Sequence, residues 1–372
     1  MECVKCVFES NDCEELVFDE VGICNFCRQY EDEERIFNSV YPDKEKEFNH
    51  IIQTLKQEGQ GKKYDAILGV SGGVDSSYLA LKLKENGVRT LLYHYDNGWD
   101  SELAVKNIQK MAQKLDFDLY TIVVDWDEFK DLQLSYLKAG VIDIEAITDH
   151  SAIYGTHQVA RKFNVKNIVG GHNFVTESIL PKSWIYPNKG DWYNLKSIHS
   201  VYGTKKTPSV PINSLYNQMI FRFFYKMKWY YPLNYIPYNK DMVKKELIEK
   251  LDWKDYGGKH YESIWTRFYQ GYFLPTRYGI DKRKAHLSNL INSRQLSKDE
   301  AKIQLSLEIY PPQLLKQDKE FIIKKFGITE DQLQNFINLP KRSHYEFDHM
   351  KPLAQRYVLL KPIMMLKKII YK

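Results

Sequence analysis

The junction at Ala66-Ile-Leu-Gly-Val70, which runs straight into Ser71-Gly72-Gly73-Val74-Asp75-Ser76, constrains this chain most. The first run is short and apolar and reads as a buried strand, while Tyr78 to Glu85 reads as a helix. Two adjacent glycines between them permit positive φ and let backbone N–H groups turn toward one concavity. The following helix aims its N-terminus at the same place, where its partial positive charge favours an anion. Ser71 and Ser76 add hydroxyl donors, and Asp75 suits such a loop if it holds Mg2+ or orients the backbone. Ser71, Gly72, Gly73, Val74, Asp75 and Ser76 are therefore candidate phosphate ligands. The spacing is neither a Walker A loop nor the Gly-x-Gly-x-x-Gly dinucleotide fingerprint.

The junction sits in a strand–helix rhythm. Thr90–Tyr95, Leu119–Val124 and Asn167–Gly170 read as further strands. Ser101 caps a helix with Val105, Ile108, Ala112 and Leu115 on one face, and Ser151–Phe163 is another helix. The expected class is α/β, a parallel sheet flanked by helices, with ligands at the carboxyl ends of the strands. At 372 residues the chain has room for roughly two to three domains. We expect a cysteine unit over 1–30, a lead-in helix within 31–63 (Phe48, Ile51, Ile52 and Leu55 on one face) and a nucleotide-binding core over 64–200. A mostly helical region for substrate or partner follows over 201–372, where the rhythm stops and Tyr, Trp and then Lys become common.

All five cysteines lie in the first 27 residues. Cys3-x-x-Cys6 and Cys24-x-x-Cys27 have the spacing of a four-thiolate structural zinc site. An iron–sulfur cluster is the other metal that such ligands serve. So short a unit scarcely buries a core, and a metal supplies the missing stability. Cys13 is a bystander. The start lacks a signal-peptide pattern and no long apolar run occurs, so the expected location is cytoplasmic. The net charge is 53 − 48 = +5, too mild to call for nucleic acid.

Ser71-Gly-Gly-Val-Asp-Ser76 resembles the signature of the PP-loop ATP pyrophosphatases (the adenine nucleotide alpha hydrolase-like fold), which split ATP into AMP and pyrophosphate while adenylylating a substrate oxygen. Within that superfamily the chain resembles the N-acetyl sugar amidotransferases of bacterial surface-polysaccharide synthesis over nearly its whole length. The residues that carry this are the N-terminal cysteine pairs, Asp96-Asn-Gly-Trp-Asp-Ser-Glu-Leu-Ala-Val105, Gly170-Gly-His-Asn173 with Thr176-Glu177, Gly257-Gly-Lys-His-Tyr-Glu-Ser263, Thr266-Arg-Phe268, Leu274-Pro275 and Asp281–Ser288. The resemblance implies ATP, Mg2+ and Zn2+ as cofactors. It also implies an N-acetylated nucleotide sugar whose acetamido group becomes acetamidino, as in lipopolysaccharide biosynthesis.

Further site residues follow from position and resemblance. Asp96, Asn97 and Trp99 come just after the second strand, where adenosine should rest; a turn plus a core tryptophan is the alternative. Gly171, His172 and Glu177 follow the fourth strand at the same sheet edge. Glu177 resembles an acid that related synthetases place near Mg2+ or the reacting nitrogen, and a solvated loop acid is the alternative. Lys259 and Arg267 are eight apart and would neutralise pyrophosphate if their segment is helical; surface bases are the alternative. The expected catalytic set is thus Asp75, Glu177, Lys259 and Arg267. No cysteine follows residue 27 and Cys3 is already a ligand, so ammonia should arrive free or from a separate subunit. The resemblance implies a separate glutaminase and a barrel-type delivery subunit as partners. A tRNA-thiolation enzyme is the rival reading, although the core lacks the extra cysteines such enzymes use. Leu215–Tyr238 and Leu359–Tyr371, aromatic and basic, suit either peripheral membrane contact or core and partner-facing helices.

Overall fold

The computed structural model describes residues 1–206, 210–212, 214–258 and 261–350. The elements run α1 (Asn25–Val40), α2 (Lys44–Glu58), β1 (Ala66–Gly69), α3 (Val74–Glu85), β2 (Thr90–Asp96), α4 (Glu102–Leu115), β3 (Leu119–Val123), α5 (Trp126–Ala139), α6 (Ala146–Lys162) and β4 (Asn167–Val169). There follow α7 (Phe174–Glu177), α8 (Trp192–Tyr202), α9 (Leu215–Met219), β5 (Lys228–Tyr230), α10 (Lys240–Leu251), α11 (Ile264–Phe268), α12 (Leu274–Tyr278), α13 (Arg283–Asn292), α14 (Lys298–Ser306), α15 (Pro312–Phe326) and α16 (Glu330–Asn338).

The five strands form one parallel sheet in the order β3-β2-β1-β4-β5. The chain leaves β1 toward β2 on one side and returns through β4 on the other. The order therefore reverses at β1, and the loops after β1 and β4 diverge around a crevice at the carboxyl edge. One face of the sheet packs on α2, α3, α4 and α10 through Leu55, Leu79, Leu83, Ile108 and Leu247. The other face packs on α6 through Val159 and Ala160, with Phe221 and Met227 beside them. A third body of buried side chains joins the cysteine unit to α5, α8, α11, α12, α13, α15 and α16.

Three features differ from the sequence reading. The segment 31–63 holds two helices, and α1 starts at Asn25, so the second cysteine knuckle opens it. The sheet does not end by residue 200: β5 pairs with β4 from Asn167↔Lys228 to Val169↔Tyr230. The aromatic run 215–238 is not one helix. It breaks into α9, a π-helical turn at Ile220–Phe224, β5 and a 3-10 turn at Pro232–Tyr235, burying Phe221 and leaving Phe223 and Phe224 exposed. Among the described residues no helix is long and apolar enough to cross a membrane. Leu359–Tyr371 lies outside the described residues.

Candidate nucleotide and metal sites

The loop after β1 is built for close approach. Gly72 has φ +76°, and a Cβ there would lie 2.6 Å from the Ala104 carbonyl oxygen, so no other residue fits without moving α4. Gly73 caps α3. The Trp253 indole N–H donates to the Gly72 carbonyl at 3.0 Å, the Val74 amide donates to the Tyr256 hydroxyl at 3.3 Å, and the Ser76 hydroxyl donates to the Gly73 carbonyl at 3.4 Å. The Asp75 carboxylate accepts from the Tyr238 hydroxyl and, at 3.3 Å, from the Asn173 side-chain amide. Gly171, after β4, presses on this loop: a Cβ would lie 3.1 Å from the Ser76 amide nitrogen.

Two cavities open at the carboxyl edge. The first, about 500 Å³, is lined by Gly69 and Val70 of the β1 end, Tyr93, His94 and Tyr95 of β2, Asn97, and the acidic group Asp143, Glu145 and Asp149. The second, about 630 Å³, has the phosphate loop on one wall (Ser71, Gly73, Val74, Asp75, Ser76) with Gly171, His172 and Glu177, and Lys240, Lys244, Lys282, Arg283 and His286 around it. Ser71, Glu262, Gln270 and Lys282 line both cavities, so the two meet beside the loop. Such a cleft suits a bent, polyanionic ligand with an apolar-faced end.

The sequence-derived candidates divide as follows. Ser71, Gly73 to Ser76, Gly171, His172 and Glu177 line one cavity, with His172 Nδ1 2.5 Å from Glu177 Oε2. Asn97 lines the other, its side-chain oxygen accepting from the Trp99 amide at 3.2 Å. Asp96 is a turn residue: its carboxylate accepts from the Gly98 amide at 2.8 Å. Trp99 is corrected outright. It is fully buried, its ring stacks 5.3 Å from Trp265 and meets Phe326, and its indole N–H donates to Gln133 at 2.8 Å, so it cannot stack on adenine. Arg267 is corrected in its role. Asp318 grips it at both ends, Nε–Oδ2 2.7 Å and Nη2–Oδ1 2.9 Å, with both side chains buried, so the guanidinium is already neutralised although it borders the second cavity. Lys259 lies outside the described residues, and the helix that carries Arg267 starts only at Ile264.

Several residues around the site escaped the sequence reading. Tyr238, Trp253 and Tyr256 stand 160 residues or more beyond the loop they contact, and no local pattern marks them. His94 has Nδ1 3.2 Å from the Val70 carbonyl and Nε2 3.3 Å from Asp100. Burial pushes its imidazole down, but the Asp100 hydrogen bond and charge outweigh that and hold its pKa above the ordinary value. Glu145 is pushed up to about 7, first by burial and then by the charge of Asp149.

The four cysteines of the N-terminal pairs converge. Cys3, Cys6, Cys24 and Cys27 are fully buried, with their sulfurs all within 4.8 Å of one another and Cys6 to Cys24 at 3.6 Å. Tetrahedral zinc at ~2.3 Å from each sulfur sets sulfurs roughly 3.8 Å apart, so the group fits a four-thiolate ion. Backbone amides of Cys6 and Cys24 donate to Cys3 Sγ, and the Asn292 amide donates to Cys27 Sγ at 3.2 Å. The last of these orients the ligand shell from α13. Cys13 stands apart, its thiol pushed up to about 12 by burial.

A parallel sheet that reverses at β1 and carries the serine–diglycine loop there defines an α/β fold of the PP-loop kind. The C-terminal part is more specific: residues 262–361 match the family described as LPS biosynthesis protein WbpG-like, C-terminal domain. That agrees with the resemblance carried by Thr266-Arg-Phe268 and Asp281–Ser288. A curated relative, a tRNA(Ile)-lysidine synthase of Chlamydia pneumoniae, is 37% identical over 76 residues, 19% of this chain and 23% of that protein. The chain thus spans under a quarter of that relative's length. Solved structures at 14% identity include an NMN synthetase from Francisella tularensis (TM-score 0.35, 72% of this chain and 98% of that one). An NH3-dependent NAD synthetase from Campylobacter jejuni matches at the same identity (TM-score 0.33, 77% and 97%). A tRNA thiolase from Methanococcus maripaludis does too (TM-score 0.32, 83% and 89%).

Proposed function

We propose that this chain is an ATP-dependent amidotransferase that turns the acetamido group of an N-acetylated nucleotide sugar into an acetamidino group, in lipopolysaccharide or related glycan synthesis. The observation that carries the reading is the second cavity: the phosphate loop lines it, and the WbpG-like segment supplies Lys282, Arg283 and His286 to the same cavity.

In this reading adenosine lies along the β1 and β2 ends and pyrophosphate lies on the backbone N–H groups of Ser71–Ser76, at the N-terminus of α3. Asp75 and Glu177 line one cavity and both bear electrostatically on Tyr238, so they are the residues that would hold Mg2+, which supplies charge neutralisation on the phosphates. The acetamido oxygen attacks the α-phosphorus and pyrophosphate leaves. The resulting imidate carries AMP, a far better leaving group than the amide oxygen. Ammonia adds to its carbon, and the C–O bond breaks with its electron pair on AMP. The chain's contribution is position and fixed charge. Cys3, Cys6, Cys24 and Cys27 hold a structural zinc ion. A separate glutaminase with a barrel-type subunit delivers the ammonia in the cytoplasm, and no nucleic acid takes part.

Purified chain given ATP, ammonium and UDP-linked N-acetylhexosamines should yield AMP, pyrophosphate and a product lighter by about one mass unit, as NH replaces O. Glutamine alone should not replace ammonium. A tRNA-modifying role is the second reading, drawing on the short likeness to a tRNA-lysidine synthase. Altered nucleosides in the tRNA of a deletion strain, with no change in its surface glycan, would favour that role instead.

A further inference from the structure

The first cavity holds more acid than an adenosine site needs. Lys189 is engaged by Asp143 and, at 3.0 Å, by Asp149. Glu145 lies between those two in sequence, lines the same cavity and accepts a hydrogen bond from the Thr266 hydroxyl. Thr266, near the end of α11, and Gln270, in the π-helical turn that follows it, line this cavity with Glu145, and Gln270 lines both cavities. Glu145 is thereby held in a cavity it shares with Gln270 and Lys282, which line the junction where the phosphate loop and the basic cavity meet. A carboxylate held there, with Lys189 drawn off to Asp143 and Asp149, fits a small cation carrying N–H donors.

Building on the amidotransferase reading, we infer that Glu145 binds the incoming ammonium ion and takes its proton, releasing ammonia beside the adenylylated carbon. One N–H bond of ammonium breaks, its electron pair stays on nitrogen, and the proton forms an O–H bond on Glu145. The nitrogen lone pair then makes the C–N bond, while the C–O bond breaks onto AMP. The proton on Glu145 passes to solvent after product leaves, so no further reagent is needed. Burial and the Asp149 charge favour the protonated carboxyl, while Lys282 and Lys189 oppose them; Asp143, Tyr269 and Thr266 complete the groups around it. The balance keeps Glu145 a competent base near neutral pH.

The test compares native chain, E145Q and E145D in three assays with UDP-N-acetylhexosamine acceptors. The first is acceptor-dependent exchange of labelled pyrophosphate into ATP without ammonium. The second is amidine formation from ammonium chloride across pH, and the third is product formation from hydroxylamine, which is already unprotonated near neutral pH. E145Q should keep exchange within a few-fold, lose ammonium-dependent product by roughly 100-fold or more, and recover turnover with hydroxylamine. E145D should regain part of the ammonium rate. The native ammonium rate should fall as pH drops through about 7. Native-like ammonium turnover by E145Q overturns the inference. So does loss of exchange in E145Q, which would assign the residue to the first step or the fold, and so does failure of hydroxylamine to rescue. No exchange in native chain with any acceptor overturns the amidotransferase reading, and this inference with it.

Discussion

Gly171 stands so close to Ser76 that a methyl group on its Cα would lie 3.1 Å from the Ser76 amide nitrogen, tying the loop after β4 to the first turn of α3. Because β1 and β4 are neighbours at the point where the sheet order reverses, these two loops form the two lips of one crevice. The contact predicts a graded effect. Gly171→Ala should need a shift of a few tenths of an ångström, and Gly171→Val a larger one that displaces the loop. Thermal shift with ATP checks this: the nucleotide-induced rise in Tm should shrink in Gly171→Ala and vanish in Gly171→Val, while far-ultraviolet dichroism stays native.

The Arg267–Asp318 pair is buried and bidentate. Removing one partner strands a charge, so Arg267→Ala or Asp318→Ala should each cost about 3–5 kcal/mol. Arg267→Met with Asp318→Leu should cost much less than the two single changes summed. Urea unfolding of the three variants measures the coupling. A pyrophosphate-binding role for Arg267 would instead show as lost ATP affinity at native stability.

Trp99 fills the core between Trp265 and Phe326, with its N–H on Gln133. Trp99→Ala should cost about 3–5 kcal/mol through the cavity it leaves. Trp99→Phe should cost less, retaining most of the ring packing but leaving the Gln133 oxygen without its indole donor. In both variants ATP affinity, measured by calorimetry below the unfolding range, should stay within a few-fold of native.

Stability should depend on pH through Asp131, which is buried at the α5–α8 contact. Burial raises its carboxyl, but hydrogen bonds from Thr204, Lys205 and His199 outweigh that and hold it down to about 2 from an ordinary 3.8. The native chain therefore binds this proton less readily than the unfolded chain. The contribution, about 2 kcal/mol, is fully present above the unfolded value near 4 and is lost as pH falls through about 2. Asp131→Asn should lose it at pH 7 and show a flatter acid limb in urea unfolding between pH 5 and pH 2.

The cysteine group should hold one metal ion per chain. Elemental analysis should find zinc at unit stoichiometry, and Cys24→Ser or a strong chelator should lower Tm by several degrees because metal binding is linked to folding. Asn292→Ala, which removes the donor to Cys27 Sγ, should weaken zinc roughly 10–100-fold without removing any ligand.

What the sequence disclosed was local. The loop at Ser71–Ser76 and the paired cysteines are chemistry written within a few residues, where spacing alone fixes geometry. What it hid was decided by partners far along the chain. Trp99 looked like an adenine stack because it follows β2, and only Trp265 and Phe326 make it core. Arg267 looked free because Asp318, on α15, is 51 residues away. Asn292 reaches Cys27 across 265 residues. β5 is three residues long in an aromatic run, too short for alternation to show. Glu145 carries no motif; its Thr266 contact comes from α11, 121 residues further along the chain.

The central claim is that the acetamido oxygen itself becomes bonded to the adenylyl phosphorus. An acceptor nucleotide sugar carrying oxygen-18 in its acetamido group tests this directly. Turnover with ATP and ammonium should deliver one labelled oxygen into the phosphate of AMP, with pyrophosphate as the other product. Unlabelled AMP, or ADP with orthophosphate, would contradict it.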